Sequence, residues 1–193
     1  MGPMLRAHQF EATVPDRADV SSYAELYEDA FSFVWMNLRR LGVHEAAIDD
    51  AVQDVFLVVH RRLGDFEGRS SVRTWLFGIV VRVTRNHRRS AKRFAAHIEA
   101  ASHDSPPAPS PAELVAEKEA IQILEEILDG MDDDKREVFV QVELEQMSVA
   151  DVALALELNV NTAHARLRAA REEFARRAAR FRAREQSETR RVG

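Results

Sequence analysis

An all-α fold of two helical domains joined by a Pro-rich linker, the second domain a helix-turn-helix, is predicted by three features of the chain. Apolar residues recur at helical spacing, and strongly alternating, β-type segments are missing. Prolines gather at 106, 107, 109 and 111, between two periodic halves. Ser148 to Arg171 reads as a short capped helix, a turn and a longer helix with a clear apolar stripe. The expected organisation is a disordered segment over 1–20, a helical domain over 21–95, a linker over 96–111, a helix-turn-helix domain over 112–184 and a tail over 185–193.

In the first domain, Ser22 and Glu25 form a capping box that opens a helix. Its stripe is Tyr23, Leu26, Tyr27, Ala30, Phe31, Val34, Leu38 and Leu41, and Gly42 stops it. A second helix runs from about Glu45 to Leu63, with Ile48, Val52, Val55, Phe56, Val59 and Leu63 inward and Gly64 at its end. Asp50, Asp54, Leu57 and Arg61 lie on its opposite face. Carboxylates beside an exposed aliphatic suit a partner-binding surface, although a solvated face with one stray leucine has the same pattern.

The loop from Gly64 to Ser70 leads to Ser71, which can cap a third helix with Val72, Leu76, Ile79, Val80 and Val83 inward. At 100° per residue, Trp75, Arg82, Asn86 and Arg89 share one outer flank. An aromatic among basic and amide side chains can stack unpaired bases while holding their phosphates. Taken alone, Trp75 suits a core position as well.

After the linker, Ser110, Pro111 and Glu113 combine a cap, a first-turn proline and a capping-box glutamate. The helix they open carries Leu114, Ile121, Leu124 and Leu128 inward and ends at Gly130. Asp132 or Asp133 starts the next helix, with Val138, Phe139 and Val142. Ser148 and Asp151 then cap a helix with the apolar edge Val149, Val152, Ala153 and Leu156. Asn161 is the expected N-cap of the last helix, whose stripe is Ala163, Leu167, Ala170, Phe174, Ala178 and Phe181. Off that stripe stand Asn161, Thr162, His164, Ala165, Arg166 and Arg168, polar, small or basic, as a helix entering the DNA major groove requires. Arg171 and the arginines after it extend this row toward phosphates.

The net charge of −5 hides a division along the chain. Residues 98–161 carry 3 basic and 16 acidic groups, whereas 21–97 carry 12 and 9 and 162–193 carry 10 and 4. Two basic segments around an acidic middle suit two DNA contacts, the acidic part keeping the free protein off random DNA. There is no cysteine, which excludes a disulfide framework and a thiol switch. The lack of a membrane-length apolar run and of a signal h-region leads to the expectation of a cytoplasmic protein without membrane insertion. Phosphate-loop and zincin motifs are absent and the histidines are scattered, so no catalysis, no cofactor and no metal are expected.

The segments DDAVQDVF and RTWLFGIVVRVTRNHRR, the Pro-rich linker and the C-terminal helix-turn-helix, in that order, resemble the extracytoplasmic-function sigma factors of the sigma-70 family. The resemblance covers residues 21–95 and 112–182. It implies a subunit that directs RNA polymerase to promoters: the first domain would bind the β′ clamp helices and capture the melted −10 element. The second would contact the β flap and read the −35 element in duplex. By position, Asp50, Asp54, Val55 and Phe56 match the segment that meets β′, and periodicity makes Val55 and Phe56 core residues, leaving Asp50, Asp54, Leu57 and Arg61 as the docking face. The loop Phe66 to Arg73, with Ser71, and Trp75 match the region that holds a flipped base. Thr162, His164, Ala165, Arg166 and Arg168 match the −35 reading helix. An anti-sigma factor is a common further partner in such families. Three positions depart from the pattern: Glu157 replaces a turn glycine, Ala163 a larger aliphatic, and Arg82 an asparagine. The alternative is a stand-alone helix-turn-helix regulator of duplex DNA, which uses residues 148–184 and leaves the Trp75 flank and the Asp50/Leu57 face without a role.

Overall fold

A computed structural model describes the backbone over residues 23–98 and 115–192, and side chains over 23–93 and 121–183. Among the described residues every regular element is helical: α1 (Tyr23–Arg40), α2 (Ile48–Arg62), α3 (Val72–Ile98), α4 (Val115–Asp129), α5 (Asp133–Phe139), α6 (Val149–Ala155) and α7 (Val160–Val192). The caps at Ser22 and Ser110 and the prolines of the linker lie outside the described residues; α3 itself runs three residues into the expected linker. No helix among them is long and apolar enough to cross a membrane.

Gly42 ends α1 as anticipated. With φ +85° it turns the chain so that its own amide donates to the Arg39 carbonyl (2.9 Å) and that of Val43 to Leu38 (3.0 Å), which satisfies two orphan carbonyls. Glu157 does the same after α6, at φ +57°, with the Leu158 amide on the Ala153 carbonyl at 2.8 Å. A side chain in this left-handed region costs energy that glycine avoids. Ser148 caps α6 through the Asp151 amide (3.1 Å). The cap of α7 is one residue pair earlier than expected: the Asn159 side chain accepts from the Asn161 amide at 2.8 Å, so Asn161 belongs to the helix.

The stripes predicted for α2, α3 and the first half of α7 are buried, but two faces were misjudged. On α1, Tyr27 and Phe31 are 39 % and 38 % exposed, whereas Phe33 and Asn37 are sealed. On α4, Ile121 is 49 % exposed and Ile127 is buried in its place. Besides its predicted stripe, α3 buries a second one, with Thr74, Phe77 and Val81 around Gly78. The reason is that α1 and α3 are covered twice, once by each other and α2, and once by the second half of the chain.

The two halves thus share one apolar core, which runs from Leu26 to Ala170. Gly78 marks the closest approach of α3 and α6, where a Cβ would stand 3.2 Å from the Ala155 carbonyl oxygen. Gln141, on a π-type turn that continues α5 over Val140–Leu144, donates its amide to Asn37 of α1. Arg136 is only 1 % exposed and donates to four oxygens: the carbonyls of Leu41, Asp129 and Met131 and the Asp129 carboxylate, at 2.8–3.3 Å. Its guanidinium fills the space beside Gly42, where any Cβ would collide with it. One cation therefore closes the C-terminal ends of α1 and α4 together.

Candidate nucleic-acid and polymerase interfaces

The long helix α7 presents its first two turns with Ala163 and Leu167 inward, packed behind α6. Asn161, Thr162, His164, Ala165 and Arg168 are exposed on the other side, as one row. Arg166 is half-buried instead and pairs with Asp134 at the start of α5 (2.7 Å); Arg171 is exposed and pairs with Glu143 (2.7 Å). The Ala163 methyl has no exposure, so the small residue lets α7 lie close to its support. Further along, the Phe174 and Phe139 rings stack at 4.8 Å and fix α7 against α5.

On the first half, Ser71 spends its hydroxyl on the cap of α3, accepting from the Thr74 amide at 3.1 Å. Phe66 lies against Trp75, ring centroids 5.1 Å apart, both rings half-buried, so that loop and helix present one aromatic step. Arg82, Asn86 and Arg89 are exposed farther along the same helix. Arg82 and Asn86, together with Arg61 and Arg62 of α2, rim a groove of about 340 Å³ with Val58, Ile79 and Val83 in its walls. An apolar trough bordered by guanidinium groups has the chemistry of a base-and-phosphate site. Arg61, expected on the polymerase face, belongs to this groove. Arg73 stands away from it, stacked over the Phe33 ring (5.2 Å) and paired with Glu145 (2.6 Å).

The outer face of α2 exposes Asp50, Asp54 and Leu57, the leucine to 46 %. Val55 and Phe56 are buried, in agreement with periodicity. Asp54 meets His87 of α3 at 2.8 Å. The neighbouring edge of α1 adds Tyr27 and Phe31, the former packed on Phe56 at 4.4 Å between centroids.

Sequence reasoning missed the ionic seam between the halves. Glu145 bridges Arg40 (2.5 Å) and Arg73 (2.6 Å), Glu137 takes both ends of the Arg85 fork (2.6 and 2.8 Å), Asp133 takes Arg88 (2.5 Å), and Glu157 takes Arg82. Burial pushes the Glu137 carboxyl up, against the opposing pull of Arg85, while the bond to Glu137 holds the Arg85 guanidinium above its ordinary value. Burial, with Arg88 nearby, lowers Arg136. The signal available in the sequence was the acidic stretch itself, with glutamates at 137, 145 and 157 and no stripe of their own.

The Sigma-70 region 2 family model matches residues 26–94, and the Sigma-70, region 4 model matches residues 121–174. The chain is 29 % identical over 134 residues to the ECF RNA polymerase sigma-E factor of Escherichia coli (strain K12), covering 65 % of this chain and 70 % of that one. It is 30 % identical over 141 residues to the RNA polymerase sigma factor NccH of Alcaligenes xylosoxydans xylosoxydans, covering 70 % and 75 %. In fold it matches the sigma factor RpoE solved with the anti-sigma factor NepR from Bartonella quintana (TM-score 0.67, 18 % identity, 83 % of this chain and 98 % of that one). It also matches CnrH solved with the cytosolic domain of CnrY (TM-score 0.59, 24 % identity, 79 % and 84 %).

Proposed function

This chain belongs to the sigma-70 family of RNA polymerase sigma factors, in its extracytoplasmic-function branch, and from that premise we propose which of its surfaces perform promoter recognition. As a sigma factor it directs promoter-specific initiation by recognising −10 and −35 elements in complex with core polymerase. In our reading, Asn161, Thr162, His164, Ala165 and Arg168 enter the major groove of the −35 element, with Arg166 and Arg171 at its phosphates. The Phe66–Trp75 step and the groove of Arg61, Arg82 and Asn86 receive the melted −10 strand, with Arg89 on its backbone. Asp50, Asp54 and Leu57 dock on the β′ clamp helices, and the second half meets the β flap.

The observation that carries this reading is the presence, on one chain, of an exposed polar row on a supported recognition helix and of a guanidinium-rimmed apolar groove on a separate helix pair. One suits duplex, the other unpaired bases, and tethering the two makes two weak readers act as one specific binder. Trapping flipped bases offsets the few kcal/mol of unstacking, so no nucleotide hydrolysis is required and the protein itself is no catalyst. We place it in the cytoplasm, where core polymerase is, and assign it a regulator of the anti-sigma class, since RpoE of this fold was solved with one.

Run-off transcription with purified core polymerase and genomic fragments tests the assignment. Defined transcripts, with thymines near the start point becoming permanganate-reactive, are expected. Specific duplex binding without any transcript would instead support the stand-alone regulator.

A further inference from the structure

Asp50, Asp54 and Leu57 recur at i, i+4 and i+7, so they form one exposed row on α2. Within that row Asp54 is tied to another helix: Nε2 of His87, on α3, lies 2.8 Å from its Oδ2. The aspartate side chain is 56 % exposed and the histidine 21 %, so the ring is the fixed member and the carboxylate the presented one. Oδ1 of Asp54 has no hydrogen-bond partner among the described residues. His87 stands in a basic run with arginines at 85, 88 and 89. Arg85 and Arg88 turn instead toward Glu137 and Asp133. The side chain of this run that meets the acidic row is therefore the histidine and not an arginine.

We propose that His87 is a positioning residue for polymerase docking: its ring N–H holds Oδ2 of Asp54, so that Oδ1 is presented to a guanidinium or ammonium group of the core enzyme. This role rests on the docking face assigned above. An exposed aspartate samples several rotamers, and a partner that binds it must freeze one of them at a cost in entropy. A carboxylate already held by one N–H loses less freedom when the partner arrives. Bonds to a charged acceptor are short and directional, which the 2.8 Å separation matches. An imidazole can donate in its neutral form and leave the carboxylate charge for the partner, whereas an arginine at the same place would cancel it. An exposed pair of this kind adds little to folding, so its effect belongs to binding rather than to stability.

The test is a cycle of full-length proteins binding to immobilised core polymerase, read by biolayer interferometry without DNA. It compares the unaltered chain with His87→Phe, His87→Gln, Asp54→Ala and the Asp54→Ala/His87→Phe pair. Phenylalanine keeps a ring and removes the donor, whereas the glutamine amide keeps a donor at similar reach. His87→Phe should bind about fivefold more weakly, chiefly through faster dissociation, and His87→Gln should stay within about twofold of the unaltered chain. In the Asp54→Ala background, His87→Phe should change affinity by less than about 1.5-fold, because no carboxylate is left to position. Melting temperatures of all variants should agree within about 2 °C. Equal losses in the phenylalanine and glutamine variants, or a loss that persists in the Asp54→Ala background, would overturn the role. If Asp54→Ala itself binds core polymerase as tightly as the unaltered chain, the docking face is misassigned and the positioning role falls with it. A loss in Asp54→Ala with none in His87→Phe overturns the positioning role alone. Should His87→Phe lose helical circular dichroism, His87→Ala takes its place in the same cycle.

Discussion

The two helices proposed to face DNA, α7 and α3, are both long, arginine-rich and amphipathic, yet they stand in opposite situations. α7 buries one stripe and leaves the outward row of its first turns in solvent. α3 buries two stripes and has four of its arginines, Arg73, Arg82, Arg85 and Arg88, engaged by carboxylates from elsewhere in the chain. The difference shows that a basic helix is defined as a binding surface by what else covers it.

The sharpest way to break this comparison is to remove the residue that joins the halves. Arg136→Met leaves the carbonyls of Leu41 and Met131 buried without that donor, and should cost about 3 kcal/mol of stability in urea unfolding. A loss below about 1 kcal/mol would mean that the docking of the halves is looser than the seam implies.

Next in size come two substitutions that should act on opposite sides. Arg168→Ala should weaken binding to a −35 duplex by about 1–3 kcal/mol and leave promoter melting on a pre-opened template intact. Trp75→Ala should leave duplex affinity unchanged and reduce permanganate reactivity in the open complex, at about 1–3 kcal/mol per lost stack. If both variants fail in the same assay, the division of labour between α7 and α3 is wrong. Leu57→Asp should lower affinity for core polymerase roughly tenfold in a pull-down titration, and shift unfolding by no more than about 0.5 kcal/mol because the side chain is already in water. The smallest effect is expected at the turn. Glu157→Gly relieves the left-handed conformation at a cost of one exposed pair with Arg82, for a net gain of about 0.5 kcal/mol by thermal unfolding.

The all-α fold, the helix order, the stop at Gly42, the Ser148 cap and the turn of the helix-turn-helix were legible in the residues, because each depends on neighbours within a few positions. So were the exposed rows on α2 and α7, since a polar flank opposite a strong stripe has only one place to go. What tertiary structure alone decided is the second face. Periodicity reports one buried arc per helix; that Phe33, Asn37, Phe77 and Val81 are sealed while Phe31 and Ile121 are not depends on where the second half lands. Likewise nothing local marks Arg136 as buried or Glu157 as the partner of Arg82, because an ion pair across 75 residues is fixed by packing, and packing is a property of surfaces that the chain brings together only once folded.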